Sequence, residues 1–167
     1  SGYPEDPVNM TDLTGRVSTG TRGVYDGCRD GGGGRLKCVR VVAMSAKLFV
    51  IIKEMKGLLG WKNGAANAIR HFVWSVLLMW RYGQSIAIAT ANGHEEYSKS
   101  ELDSWVDQHN NFLGREYARN HSRPDNYKSD KAISRLISIA QTMWYQDRLA
   151  SGSNGCFRMG DEPCLYE

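Results

Sequence analysis

The chain has 167 residues, of which 41% are hydrophobic and 23% charged, and a formal net charge of +3. This is the balance of one globular domain. The charge is too mild to demand a nucleic-acid partner, and no segment reads as a membrane span.

Residues 1–40 are rich in Gly, Pro, Asp and Thr and culminate in Cys28-Arg29-Asp30 and the run Gly31 to Gly34. Glycine loses the most backbone entropy on ordering, so an extended arm is expected here, fixed by its cysteines. A phosphate-cradling loop would need a preceding strand and a GK[ST] ending, and RDGGGGRLKC has neither.

From Arg40 to about Gly60 the periodicity predicts a helix with Met44, Leu48, Ile51, Ile52, Met55, Leu58 and Leu59 on one face. Lys53 and Lys56 flank Phe49 on the other. Such a stripe is either core or an amphipathic surface for lipid, and Leu48, Ile52, Met55 and Leu59 are the ligand-binding candidates in the second case.

The stretch NGAANAIRHFVWSVLLMWRYG, Asn63 to Gly83, reads as the central helix, with Asn63 as N-cap and Gly83 as left-handed terminator. Ala65, Ala68, Ile69, Phe72, Val76, Met79 and Trp80 form its apolar stripe. Asn67, Arg70, His71 and Trp74 collect opposite, crowded by Leu77 and Leu78, so this polar side is expected to meet another polar helix face. A short helix with close-packing alanines follows over Gln84 to Ala91. His94-Glu95 comes next without completing HExxH, so it reads as a helix end with a possible ligand or acid/base role.

Ser100, with Asp103 three residues on, predicts a helix from Glu101 to about Asn120, broken near Pro124. Asp103, Asp107, Asn110, Asn111 and Gly114 share one sector of it, which a second helix can approach closely. Ser129 or Asp130 then caps a last helix, KAISRLISIAQTMWYQDRLA. The fold class expected is all-α: a bundle of four or five helices, with a helical core over 41–149 between the arm and a tail over 150–167.

Cys28, Cys38, Cys156 and Cys164 lie near the two ends, among Gly, Asp, Arg and Pro. They predict two disulfides and an oxidising compartment. Three pairings are open. Local closure is simplest, while an arm-to-tail pairing would stabilise more. Their spacing is not CxxC and no histidine is near, so no metal and no cofactor are expected. The opening SGYPEDP reads as that of a mature secreted product, and Asn9 and Asn120 head glycosylation sequons.

Asn67, Asp107, Asn110, Asn111 and Arg115 form the expected polar network between the two long helices. Its roles are either to fix helix register or to support catalysis by His71 with Asp107 or Glu95, Arg70 holding an anionic group. An enzyme needs a cleft that exposes His71, whereas a binding protein can keep it covered.

Asp107-Gln108, Asn111 and Gly114-Arg115, followed by Asn120-His121-Ser122-Arg123-Pro124, resemble the D-Q-x-x-N-x-x-G-R and N-H-x-R-P segment of the serum amyloid A proteins. The resemblance covers about residues 64–124. It implies a secreted helical protein, active in defence, that offers an apolar surface to lipid, a membrane surface or an apolar small molecule, often as a homo-oligomer. Arg70, His71, Trp74, His94, Glu95, Asp107, Asn110, Asn111, Gly114 and Arg115 also resemble the R-H-x-x-W, H-E and D-x-x-N-N-x-x-G-R motifs of a bacterial domain of secreted, toxin-like proteins. That resemblance implies a secreted, toxin-like protein without fixing an activity; the alternative function, a toxin-like hydrolase using His71 with Asp107 or Glu95, rests on the polar faces of the two helices.

Overall fold

A computed structural model describes residues 19–96, 100–152 and 155–165. Among these residues the chain is predominantly helical, with α1 (Thr19–Asp30), α2 (Arg35–Leu59), α3 (Ala65–Tyr82), α4 (Gln84–Glu95), α5 (Glu101–Asn120) and α6 (Asp130–Tyr145). Two residue pairs, β1 (Ala150–Ser151) and β2 (Arg158–Met159), join antiparallel in the tail. No described helix is long and apolar enough to cross a membrane.

The caps that sequence chemistry predicts are formed. Ser100 Oγ accepts from Asp103 N at the start of α5, and Ser129 Oγ accepts from Ala132 N at the start of α6. Gly60 ends α2 in the left-handed region with φ 64°. The entry to α3 differs from expectation: Gly64, not Asn63, is its N-cap, and both residues take positive φ.

α3 is the central helix, and its residues from His71 to Leu78 are buried on every side. Its expected partner is correct. Gly114 of α5 lies so close to α3 that a Cβ there would overlap Phe72 O and stand 2.9 Å from Ser75 Cβ.

The arm departs from expectation. Thr19–Asp30 is helical, and the helical part starts well before residue 41. Gly23 and Gly27 of α1 and Gly31 just beyond its end recur every four residues and face the equally spaced Ser85, Ala89 and Gly93 of α4. A Cβ on Gly27 would overlap Ala89 O, and one on Gly93 would overlap Gly23 O. Close packing of two backbones thus offsets the entropy that a glycine-rich helix loses by itself. The same contact carries α4 through Gly93 to Glu95, beyond the expected end at Ala91.

Both disulfides close locally, Cys28 with Cys38 and Cys156 with Cys164, so the arm is tied to α2 and the tail to itself. Two such bridges fit an oxidising compartment. The Asn9 sequon lies outside the described residues. Asn120 is exposed and donates from Nδ2 to Glu116 O.

The helix proposed for lipid is mostly core. Leu48 and Ile52 are 2% and 3% exposed and Met55 is half-buried, because the face that carries them packs into the main core. Of the predicted stripe, the last turn is open, with Leu58 84% and Leu59 49% exposed.

Glycine substitutions should therefore have opposite signs. Gly114→Ala is expected to cost about 1–3 kcal/mol by forcing α3 and α5 apart. Gly57→Ala, on an exposed helical site with nothing within 4 Å, should gain about 0.5–1 kcal/mol. Urea denaturation of the two variants reads both.

Candidate functional site

Two successive turns of α3 present Asn67, Arg70, His71 and Ser75 to α5, which answers with Asp107 and Asn111 one turn apart. Asn67 Nδ2 donates to Asp107 Oδ1 at 2.8 Å, and Arg70 Nη2 donates to Asn67 Oδ1 at 2.8 Å. Deeper in, Asn111 Oδ1 accepts from Ser75 Oγ at 2.9 Å and lies 3.2 Å from His71 Nδ1. With that carbonyl as its partner, His71 carries a proton on Nδ1.

His71 Nε2 then has two neighbours of opposite demand. Asp107 Oδ2 is 3.2 Å away and Arg70 Nη2 is 3.1 Å away. When Nε2 is protonated, the carboxylate accepts from it; when Nε2 is bare, the guanidinium donates to it. Both states have a partner, as a group that gains and loses a proton requires.

α4 adds two groups. His94 packs its ring 5.7 Å from that of His71 and edge-on to Trp74 at 5.6 Å, while Trp74 is itself anchored by Nε1 donating to Ser45 Oγ. Glu95 follows on the same helix end. One ligand-capable atom from each of His71, His94 and Glu95 lies within 4.8 Å of the others. His71 is only 1% exposed, the covered state that a binding protein can keep, while His94, Glu95, Arg70 and Asn67 are half-buried around it.

The electrostatics separate these groups. Burial pushes the Glu95 carboxyl up to about 8, reinforced by Asp107 and only partly opposed by Arg70 and a hydrogen bond from Ser104. Burial, with His71 and Arg70 adding repulsion, holds His94 down at about 3. For Asp107, burial pulls the other way, but the attraction and hydrogen bond of His71, with Arg70 and His94, win and keep it below the usual carboxylate range. Around neutrality Asp107 is an anion, His94 is a neutral imidazole and Glu95 holds its proton.

Not every expected member joins. Asn110 belongs to the tail: its Nδ2 donates to Ala150 O and its Oδ1 accepts from Ala150 N, both at 2.9 Å, as a neighbouring strand would. Arg115 is buried with Nε and Nη1 unpaired, and burial followed by Arg119 lowers its pKa. The N-H-x-R-P segment is structural too, since Arg123 Nη1 donates to Trp80 O and Trp80 Nε1 donates to His121 O.

His94 is the member that the helix patterns alone left outside. Its ring donates a hydrogen bond to the Gly20 backbone of α1, a contact that no helix pattern predicts.

The fold and the site define an all-α domain centred on two imidazoles, two carboxyl groups and a guanidinium gathered from three helices. The profile of a family described as a domain of unknown function, DUF6973, matches residues 34–143, and the chain belongs to that family. The match takes in α2 to α5 and most of α6, hence His71, His94, Glu95, Asp107 and Asn111; α1 precedes it. No curated protein and no solved structure matches the chain.

Because the Glu95 pKa is raised from 4.5 to about 8, ionising it opposes folding, and the wild type should lose stability as pH rises between those values. In chelator, Glu95→Gln should therefore be more stable than wild type by about 1–3 kcal/mol at pH 8 and level with it at pH 4.5. Thermal denaturation at the two pH values checks this.

Proposed function

We propose that the chain is a secreted, toxin-like hydrolase whose water-activating centre is the pair His71 and Asp107. The observation that carries this reading is convergence. The R-H-x-x-W, H-E and D-x-x-N-N pieces, far apart in sequence, supply His71, His94, Glu95, Asp107 and Asn111 to one cluster with a half-buried rim.

In this reading Asn111 and Asn67 are positioning residues that hold the imidazole and the carboxylate. The pair takes a proton from water as the water oxygen bonds to the electrophilic centre of the substrate. It then returns that proton to the leaving group as the second bond breaks. Arg70, on the rim, stabilises the anionic intermediate. The deep placement of His71 puts attack at the Asp107 side of the ring, where Glu95 and His94 border the surface.

Asp107→Asn and His71→Gln should each lower hydrolysis about 100-fold or more, measured on chromogenic ester, amide and phosphodiester panels alongside bacterial growth inhibition. Folded variants that keep full activity in every assay would end the reading.

A second reading has its own support. A cleft of about 340 Å³ lies beside α2, with Arg40, Lys47, Arg81 and Lys128 above Met44 and Leu48. Its volume is at the small end of ligand pockets, and its chemistry suits an amphipathic anion such as a fatty acid. This chemistry supports the lipid-binding reading that resemblance to serum amyloid A implies. Arg81→Glu with Lys128→Glu should weaken oleate binding about 10-fold or more in fluorescence titration; an unchanged affinity would remove this reading.

A further inference from the structure

We infer that His71, His94 and Glu95 bind a single divalent transition-metal ion, zinc being the best-suited species. The inference deepens the hydrolytic reading but is tested without turnover. It starts from electron pairs.

His94 Nδ1 is shut from solvent and has no hydrogen-bond partner. The ring nevertheless makes a hydrogen bond with the Gly20 backbone, so that bond belongs to Nε2–H, and Nδ1 presents a bare lone pair. His71 is anchored in the mirrored sense. Its Nδ1–H faces Asn111 Oδ1, which leaves the Nε2 lone pair on the side of the cluster. Glu95 repeats the pattern: one carboxyl oxygen takes a hydrogen bond from Ser104, while Oε1 is buried and unpaired.

Two of the ligand atoms thus have free lone pairs, the third, His71 Nε2, is met by Arg70 Nη2, and each side chain is held by its other polar atom. This is how metal-binding histidines and carboxylates are fixed: the outer hydrogen bond sets tautomer and orientation, here through Gly20, Asn111 and Ser104. His94 Nδ1 and Glu95 Oε1 are buried without a partner, an unfavourable state that an ion removes.

One ligand-capable atom from each of the three residues lies within 4.8 Å of the others. A tetrahedral zinc with bonds of 2.0–2.1 Å needs roughly 3.4 Å between ligands, so small side-chain rotations bring them into place. Two imidazoles and one carboxylate suit zinc or a similar borderline ion, not magnesium or calcium. Arg70 Nη2, 3.1 Å from His71 Nε2, must give way, and Asn67 Oδ1 continues to hold it.

Asp107 Oδ2, 3.2 Å from Nε2, then stands beside the open fourth position. A water there would bond to the ion and pass its proton to Asp107. Zinc and Asp107 together lower the barrier that His71 and Asp107 face alone.

The test uses the purified chain, stripped with chelator, dialysed and titrated with zinc sulfate and with cobalt chloride. One zinc per chain is expected by calorimetry and elemental analysis, with a tetrahedral cobalt spectrum. His94→Gln and Glu95→Gln should weaken binding about 100-fold, and Ser104→Ala about 10-fold. His109→Ala with His121→Ala should leave it unchanged.

Circular dichroism identifies the folded variants, and Ser104→Ala keeps the test open where a ligand substitution prevents folding. Absence of uptake by the wild type, or affinity unmoved by Glu95→Gln and Ser104→Ala, overturns the inference. Uptake without hydrolysis upholds the ion and removes the hydrolytic reading. Hydrolysis without uptake does the reverse.

Discussion

The polar contact between α3 and α5 is the constraint on which the other elements depend. An imidazole, a carboxylate and an amide are buried there beside the half-buried Asn67, and each finds a partner on the opposing helix. Gly114 lets the backbones approach closely enough for 2.8–3.2 Å bonds. Removing one partner of a buried charged pair typically costs about 3–5 kcal/mol, so the register of the two helices is fixed by chemistry as much as by shape.

α1 completes the arrangement from the other side. Its glycines bring it against α4, the Cys28–Cys38 bridge ties it to α2, and the Gly20 backbone orients the His94 ring. The cluster is consequently enclosed by three independent restraints while its rim stays half-buried. α1 lies before the residues that match the family profile, yet it makes one of the hydrogen bonds that define the site. The tail is held differently. Asn110 satisfies both polar groups of Ala150, which spends on structure a residue that its neighbourhood had marked for chemistry.

Two carboxyl groups in this small volume have opposite fates for a physical reason. Asp107 accepts from His71 and Asn67 and stays ionised. Glu95 has one buried oxygen without a donor and retains its proton up to about pH 8. Both are largely removed from water, so the difference comes from their neighbours: the charge and hydrogen bond of His71, with Arg70, hold Asp107 down, whereas Asp107 itself adds repulsion at Glu95. A divalent ion would reverse the state of Glu95 by replacing the missing donor with a stronger positive charge.

Sequence alone determined whatever depends on residues within about four positions of one another: the Ser100 and Ser129 caps, the Gly60 and Gly83 ends, and the stripes of α3 and α5. It also determined that the polar sides of α3 and α5 would meet, because buried Asn and His leave no other choice. Tertiary structure decided the rest. α1 is helical although its glycines disfavour helix locally, because packing against α4 compensates. Leu48 and Ile52 are core although their stripe equally suited lipid. His94 belongs to the site because its ring is placed jointly by Gly20, His71 and Trp74, a relation between separate helices that no periodicity within one helix encodes.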